Sequence, residues 1–253
     1  QPGDEIIVPD HSYQACWNAV DFVTERSGAK TVVVEIPFRV GGPQDVIDII
    51  LEAVTDRTVL ALIDTVTSPT GMRMPFEELT AQLQSRGVDV LLDAAHGPGI
   101  VPLDLSVLAP AYCTGNCHKW LCSPKGSAFL HIREDRKHLM HPLNISHGAS
   151  HEGESQEKFE FEFAWPGTQD PSAWLCIPKA IEYLGGLVEG GWTEIMERNH
   201  ALAIEGRGII CEALGTTPPF PDSMVSALAA VEMPKDGEVG AMSLEGDPFH
   251  NFL

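Results

Sequence analysis

Short apolar runs alternate along this chain with longer segments in which apolar residues recur every three or four positions. The runs at 5–8 (EIIV), 31–36 (TVVVEI), 58–63 (TVLALI) and 88–92 (VDVLL) are aliphatic and rich in β-branched residues. Near-continuous apolar runs of this length predict strands buried on both faces. Between them, 13–26 carries Cys16, Val20 and Val23 at helical spacing and stops before Gly28. The segment 43–54 repeats the pattern through Val46, Ile47, Ile50, Leu51 and Val54, and 75–86 is amphipathic and ends at Gly87. Each predicts a helix with a glycine or loop stop.

Strands and helices that alternate through connections of a few residues predict βαβ units. The fold class is therefore α/β, a mostly parallel sheet with helices on both faces. Runs at 111–114 and 127–132 continue the sheet, whereas 133–163 dissolves into a polar stretch rich in His and Glu and reads as an irregular loop with one short strand at most. Loops that long inside a domain are commonly functional. Helices follow at 171–187 and 192–214, the second flanked by Gly190-Gly191 and Gly215, and 225–231 reads as a strand. The pattern divides the chain into a large domain, 1–175, and a region from 176 to 253 made of linking helices and an incomplete, smaller α+β domain.

Within the large domain, the run at 88–92 delivers a carboxylate, Asp93, into a small-residue turn (DAAHGPG), and the next strand delivers Lys119 within CHKW. In an open α/β sheet the carboxyl ends of the strands form the ligand crevice, so both groups face one cavity. A lysine walled by Trp120, Leu121 and Cys122 is open to desolvation, which favours the free amine that condenses with an aldehyde. Pyridoxal 5'-phosphate requires this pair: a Schiff-base lysine, and an anion that keeps its pyridine nitrogen protonated. Taken singly, a strand-end Asp is commonly a turn cap, and Lys125, in SPKG before a strand, reads as a solvent-facing turn residue.

DAAHGPG, TGNCHKWLCSPKG, QPGDEIIVPDHSY and WPGTQDPSAWL resemble the class V group of fold-type I pyridoxal-phosphate enzymes, which holds cysteine desulfurases and kynureninase. Within it they look most like isopenicillin N epimerase and its relatives, and the likeness fades after about residue 215. The resemblance implies the fold-type I large domain, Lys119 as the Schiff base, Asp93 on the ring nitrogen and His96 toward the 3-hydroxyl. It places His118 and Asn116 at the phosphate, although relatives often carry a small hydroxyl residue where this chain has Asn116. Tyr13 falls where the family stacks an aromatic ring on the cofactor, with His11 as a competing candidate. Ser68, in TVTSPTG, falls where desulfurase-like relatives carry an Asn toward the 3-hydroxyl, and reads equally as an ordinary turn opener. Thr168 matches a Gly-Thr that reaches the phosphate of the neighbouring subunit, which implies a homodimer with a shared site.

The implied substrate is an amino acid or a molecule containing one, and the implied reaction is epimerisation at its α-carbon. Carbon–sulfur lyase, cysteine desulfurase and aminotransferase activities are the alternatives, as is a truncated, inactive remnant. None of the six cysteines falls where a desulfurase's mobile nucleophile is expected, and the arginine that clamps the substrate carboxylate in relatives falls beyond Leu253.

Charge and composition narrow the partners. Asp and Glu outnumber Lys and Arg by 36 to 16, a net charge of −20 with no basic run, which disfavours nucleic acid. No apolar run reaches the length of about 20 residues that spans a bilayer, so the chain reads as soluble. Six cysteines read as reduced and the protein as cytoplasmic, which makes the sequon at Asn144 a chance match. The abrupt ends of the sequence read as those of a fragment. Cys113, Cys117, His118 and Cys122 lack the matched second pair of a structural zinc site, and His138, His141, His147 and His151 share no helix face, so no metal is expected. Neither a Walker A loop nor a GxGxxG turn is present.

Overall fold

The computed structural model describes residues 1–233. Its apolar runs become β1 (Glu5–Pro9), β2 (Lys30–Val34), β3 (Thr58–Asp64), β4 (Asp89–Ala94), β5 (Tyr112–Asn116) and β6 (Ala128–Ile132), which form one sheet in the order β2-β1-β3-β4-β5-β6. The first five strands are parallel to their neighbours, and β6 pairs antiparallel with β5. Helices α1 (Gln14–Ser27), α2 (Pro43–Glu52) and α3 (Phe76–Ser85) carry the crossovers between β1 and β4. The β4 to β5 crossover holds only α4 (Leu105–Leu108), capped by Asp104, whose carboxylate accepts from the Ser106 and Val107 N–H groups. Four residues are too few to show a helical period, so the sequence gives no sign of α4.

The centre of the sheet is its most buried part. Ala61, Ile63, Val90 and Leu92 are fully enclosed and pack with Val46 and Ile50 of α2 and Phe76, Leu79 and Leu83 of α3. Each of these side chains larger than alanine contributes about 1.5–3 kcal/mol relative to an exposed one. The edges behave differently. β2, expected as a buried strand, has a neighbour on one side only and leaves Val33 exposed.

Three expectations are corrected beyond the central strands. The stretch 133–163 contains no strand: it forms 3₁₀ turns at Glu134–Leu139 and His147–Ser150 and then α5 (Ser155–Ala164). Phe159, Phe161 and Phe163 alternate with acids in strand fashion, yet the chain coils. The Phe159 and Phe163 rings then lie 4.6 Å apart, and Phe161 stacks on His151 at 4.1 Å. The helix expected at 171–187 splits into α6 (Ser172–Leu175) and α7 (Ile177–Gly185), because Pro178 restarts the coil in its first turn. Neither buries a residue, and Trp174, Leu175, Tyr183 and Leu187 are exposed.

The last correction concerns 225–231, which is irregular rather than a strand. Helix α8 (Gly191–Leu214) ends at Gly215 in the left-handed region, and the chain then returns across the sheet unit. The Val40 N–H donates to the Pro219 carbonyl at 3.1 Å and the Arg73 N–H to the Met224 carbonyl at 2.8 Å. Phe220, Met224 and Val225 are buried in the same core as β3 and β4. Buried Arg207 of α8 ties the return by donating to the Phe220 carbonyl at 2.9 Å and pairing with Asp222. Residues 220–225 thus pack into the core of the sheet unit, and 234–253 of the expected small domain lie outside the described residues. No helix among the described residues is long and apolar enough to cross a membrane.

Candidate active site

Parallel strands bring their carboxyl ends to one edge of the sheet. There β3 ends in Asp64, β4 carries Asp93 as its penultimate residue, and β5 ends in Asn116. Asp93 is in register with Asp64 on one side and Thr114 on the other. The ends open into a cavity of about 260 Å³ lined by Tyr13, Cys16, Asp64, Ser68, Asp93, Ala95, His96, Thr114, Asn116 and Lys119. Its volume falls just under the range of about 300–1,000 Å³ typical of drug-sized ligands, which suits one small flat molecule. The acid and the amine singled out in the sequence share this one cavity.

Asp93 is 6% exposed. Its Oδ1 accepts the Ala95 N–H at 2.8 Å, while Oδ2 has, among the described residues, only the Cys16 thiol at 3.5 Å. Burial, then the Asp93 charge, pushes that thiol up to about 12, so Cys16 remains S–H, a weak donor. A buried carboxylate oxygen this poorly matched calls for a cationic N–H donor within the cavity.

Lys119 is placed by a short hydrogen-bonded chain. The indole Nε1–H of Trp120 donates to His96 Nδ1 at 3.1 Å, and His96 Nε2 lies 3.1 Å from Lys119 Nζ. An indole nitrogen only donates, so Nδ1 must present its lone pair and the neutral ring carries its proton on Nε2. That N–H lies toward Lys119 Nζ. Burial, then the neighbouring Lys119, lowers the proton affinity of His96, which keeps the ring neutral. Trp120→Phe removes the donor and releases the tautomer; the expected result is a shift of the His96 ring-nitrogen NMR signals toward a mixture of both forms, with the fold unchanged.

The turn after β4 and the loop after β5 are fitted to one another. Gly99, at φ 93°, lies against Trp120, and a Cβ there would sit 3.0 Å from the Trp120 carbonyl oxygen. Only a residue without a side chain accepts both the backbone angle and the approach.

The other expected residues divide. Tyr13 caps the N-terminus of α1, half exposed and lining the cavity. Its competitor His11 is buried with Nδ1 on the Thr70 hydroxyl at 3.0 Å, outside the lining. Ser68 and Asn116 line the cavity. His118 does not: its Nδ1–H donates to the Ser127 carbonyl at 2.9 Å. Thr168 is exposed between α5 and α6, away from the cavity of its own chain.

Sequence reasoning missed Asp64 and Cys16. Asp64 is 4% exposed and accepts the Ser12 hydroxyl at 2.7 Å. The signal was present, since TVLALID ends in an acid just as DVLLD does. Cys16 follows Tyr13 by three residues, one turn into α1. The lining thus offers carboxyl groups, one amine and an aromatic side chain, which fits an aldehyde-bearing cationic heterocycle such as pyridoxal phosphate.

A family model described as aminotransferase class-V matches residues 1–217. The isopenicillin N epimerase of Amycolatopsis lactamdurans is 31% identical over 247 residues, covering 92% of this chain and 61% of that protein. An L-cysteine desulfhydrase of Arabidopsis thaliana is 30% identical over 247 residues, covering 94% of this chain and 53% of the relative. The chain therefore spans about half to three-fifths of the length of such relatives. Among solved structures, a cysteine desulfurase from Thermococcus onnurineus NA1 superposes with a TM-score of 0.70 at 18% identity, covering 90% of this chain and 56% of that one, a likeness of fold.

Proposed function

The chain belongs to the aminotransferase class V family, whose enzymes depend on pyridoxal phosphate, and from that premise we propose that it cleaves a carbon–sulfur bond of a cysteine-like amino acid by β-elimination. The observation that carries this reading is a single proton-transfer unit. Lys119 and His96 are joined at 3.1 Å, and no second amine or imidazole lines the cavity among the described residues.

Lys119 would hold the cofactor covalently, Asp93 would face its ring nitrogen and Tyr13 its face, with Ser68 and His96 toward the 3-hydroxyl. Asn116 and a neighbouring subunit's Thr168 would face the phosphate, whereas His118, turned to the Ser127 carbonyl, would not. When bound, pyridoxal phosphate supplies an electron-withdrawing ring that stabilises negative charge at the substrate α-carbon. Lys119 Nζ takes the α-proton, while His96, whose Nε2 already carries a proton, positions the amine without taking it. From Lys119 it passes to the departing sulfur. One proton carrier serves both ends of an elimination, which needs no protein thiol as sulfur acceptor, and the Cys16 thiol, held at about 12, is unsuited to that role.

Epimerisation is the second reading, favoured by the match to isopenicillin N epimerase. It needs a proton donor on the face opposite Lys119, and the Tyr13 hydroxyl is the candidate. The exposed apolar side chains of α6 and α7, with Thr168 just ahead of them, support a homodimer, and six unpaired cysteines support a reducing compartment such as the cytoplasm.

The test is to incubate the chain and pyridoxal phosphate with a small panel of L-amino acids that includes cysteine. Sulfide and keto acid in equal amounts are expected from cysteine. The D-enantiomer without sulfide would replace the first reading with the second. Neither product from a chain that carries the cofactor on Lys119 would overturn both.

A further inference from the structure

Two neighbouring strands end in aspartate at the same level. Asp64 of β3 and Asp93 of β4 are direct partners in a parallel register, so their Cα atoms lie about 4.8 Å apart and their side chains leave the same face. Both are buried and both line the cavity. Like charges this close, away from water, do not both ionise: one of the two carboxyls keeps its proton.

Burial and the neighbouring charge, set against the hydrogen bonds, say which. Asp93 Oδ1 takes a backbone N–H, a donor that favours the anion. Asp64 accepts the Ser12 hydroxyl at 2.7 Å and its own backbone N–H, donors that also favour an anion, but they are outweighed. Burial first, then the Asp93 charge, pushes Asp64 up from 3.8 to about 7.

We propose that Asp64 and Asp93 share one proton, held on Asp64, and that Asp64 is in this way a positioning residue that keeps Asp93 the single anion offered to a ring nitrogen. The proton-sharing stands on this chain's geometry alone; its purpose rests on the cofactor reading above.

The groups around the pair are consistent with it. Cys16 of α1 remains a thiol, and Lys119, in the loop after β5, is the least of the influences on Asp64. His96 acts one step further out through Lys119. His11 and Asp10, at the end of β1, are engaged by Thr70 and by the Ile36 N–H. The neutral acid is the form the fold stabilises, so the contribution is fully present below the unfolded value of 3.8 and is lost as pH rises through about 7.

The experiment is infrared spectroscopy of the whole chain across this range, paired with thermal melts. A protonated-carboxyl C=O band should be present at mildly acidic pH, fade near neutrality and be missing from Asp64→Asn, whose melting temperature should lose the decline with pH that the parent shows. Asp93→Asn leaves Asp64 in place and removes the charge beside it, so the fading should move to lower pH. Pyridoxal phosphate should move it the same way by setting a cation beside Asp93. A parent without the band at mildly acidic pH, or a midpoint unmoved in Asp93→Asn, would overturn the proposal. If the titration behaves as expected while borohydride fixes no cofactor on Lys119, the cofactor reading fails and the carboxyl pair stands.

Discussion

Lys119→Ala protein, mixed with pyridoxal phosphate and reduced with borohydride, will give no labelled peptide, while the parent chain is labelled within CHKW. Turnover will fall by at least the factor of about 10²–10⁴ that a positioned general base contributes. Two functions are lost together. Lys119 Nζ is the only amine in the described lining, so no neighbour replaces it as covalent anchor or as base. The loss is chemical rather than structural. Lys119 lies in a loop after β5, outside the buried core, and its side-chain bond is to His96, which a water can replace. A circular dichroism spectrum like that of the parent separates the two causes. Labelling of the alanine variant at Lys125 would show that the wrong lysine had been assigned.

Asp93→Asn will keep its cofactor on Lys119 and still lose most of its rate. The amide occupies the same volume, and its oxygen still accepts the Ala95 N–H that Asp93 Oδ1 accepts at 2.8 Å. What goes is the negative charge. An opposite charge at this range moves a proton equilibrium by about 1–3 units, so the protonated fraction of the ring nitrogen, and with it turnover, should fall about 10–10³-fold. The check is the rate with cysteine alongside the borohydride label: label retained and rate lost confirms the role, whereas an unchanged rate would show that the ring nitrogen lies elsewhere.

The parts of the fold that were legible in sequence are those where burial dictates composition. β3 and β4 are enclosed over most of their length, which calls for TVLALI and VDVLL, and α2 and α3 show their stripes because one face packs on that sheet. Legibility failed where neighbours decide. KFEFEFA alternates like a strand, but Phe159 and Phe163 meet as one turn of helix. The stretch 225–231 has a strand's composition because Val225 fills the large core, not because a second sheet awaits it.

The site followed the same rule. Asp93, His96 and Lys119 stood out because each sits in a short motif at a strand end. Asp64 was passed over because an acid closing a strand means little until its register partner is known, and register is a property of the pairing rather than of either run. His118 neighbours Lys119 in sequence yet turns to the Ser127 carbonyl, because the turn after β5 sends the two side chains different ways.

Gly99 carries a final implication. It touches neither the amine nor the acid, yet the turn that begins at Asp93 and the loop that bears Lys119 meet through it, backbone against backbone. The width of the cleft is therefore gauged by a single hydrogen atom standing where any other residue would place a carbon. Variation along the walls changes what the cleft prefers, whereas variation at this spacer changes whether its two sides can grip one molecule at all.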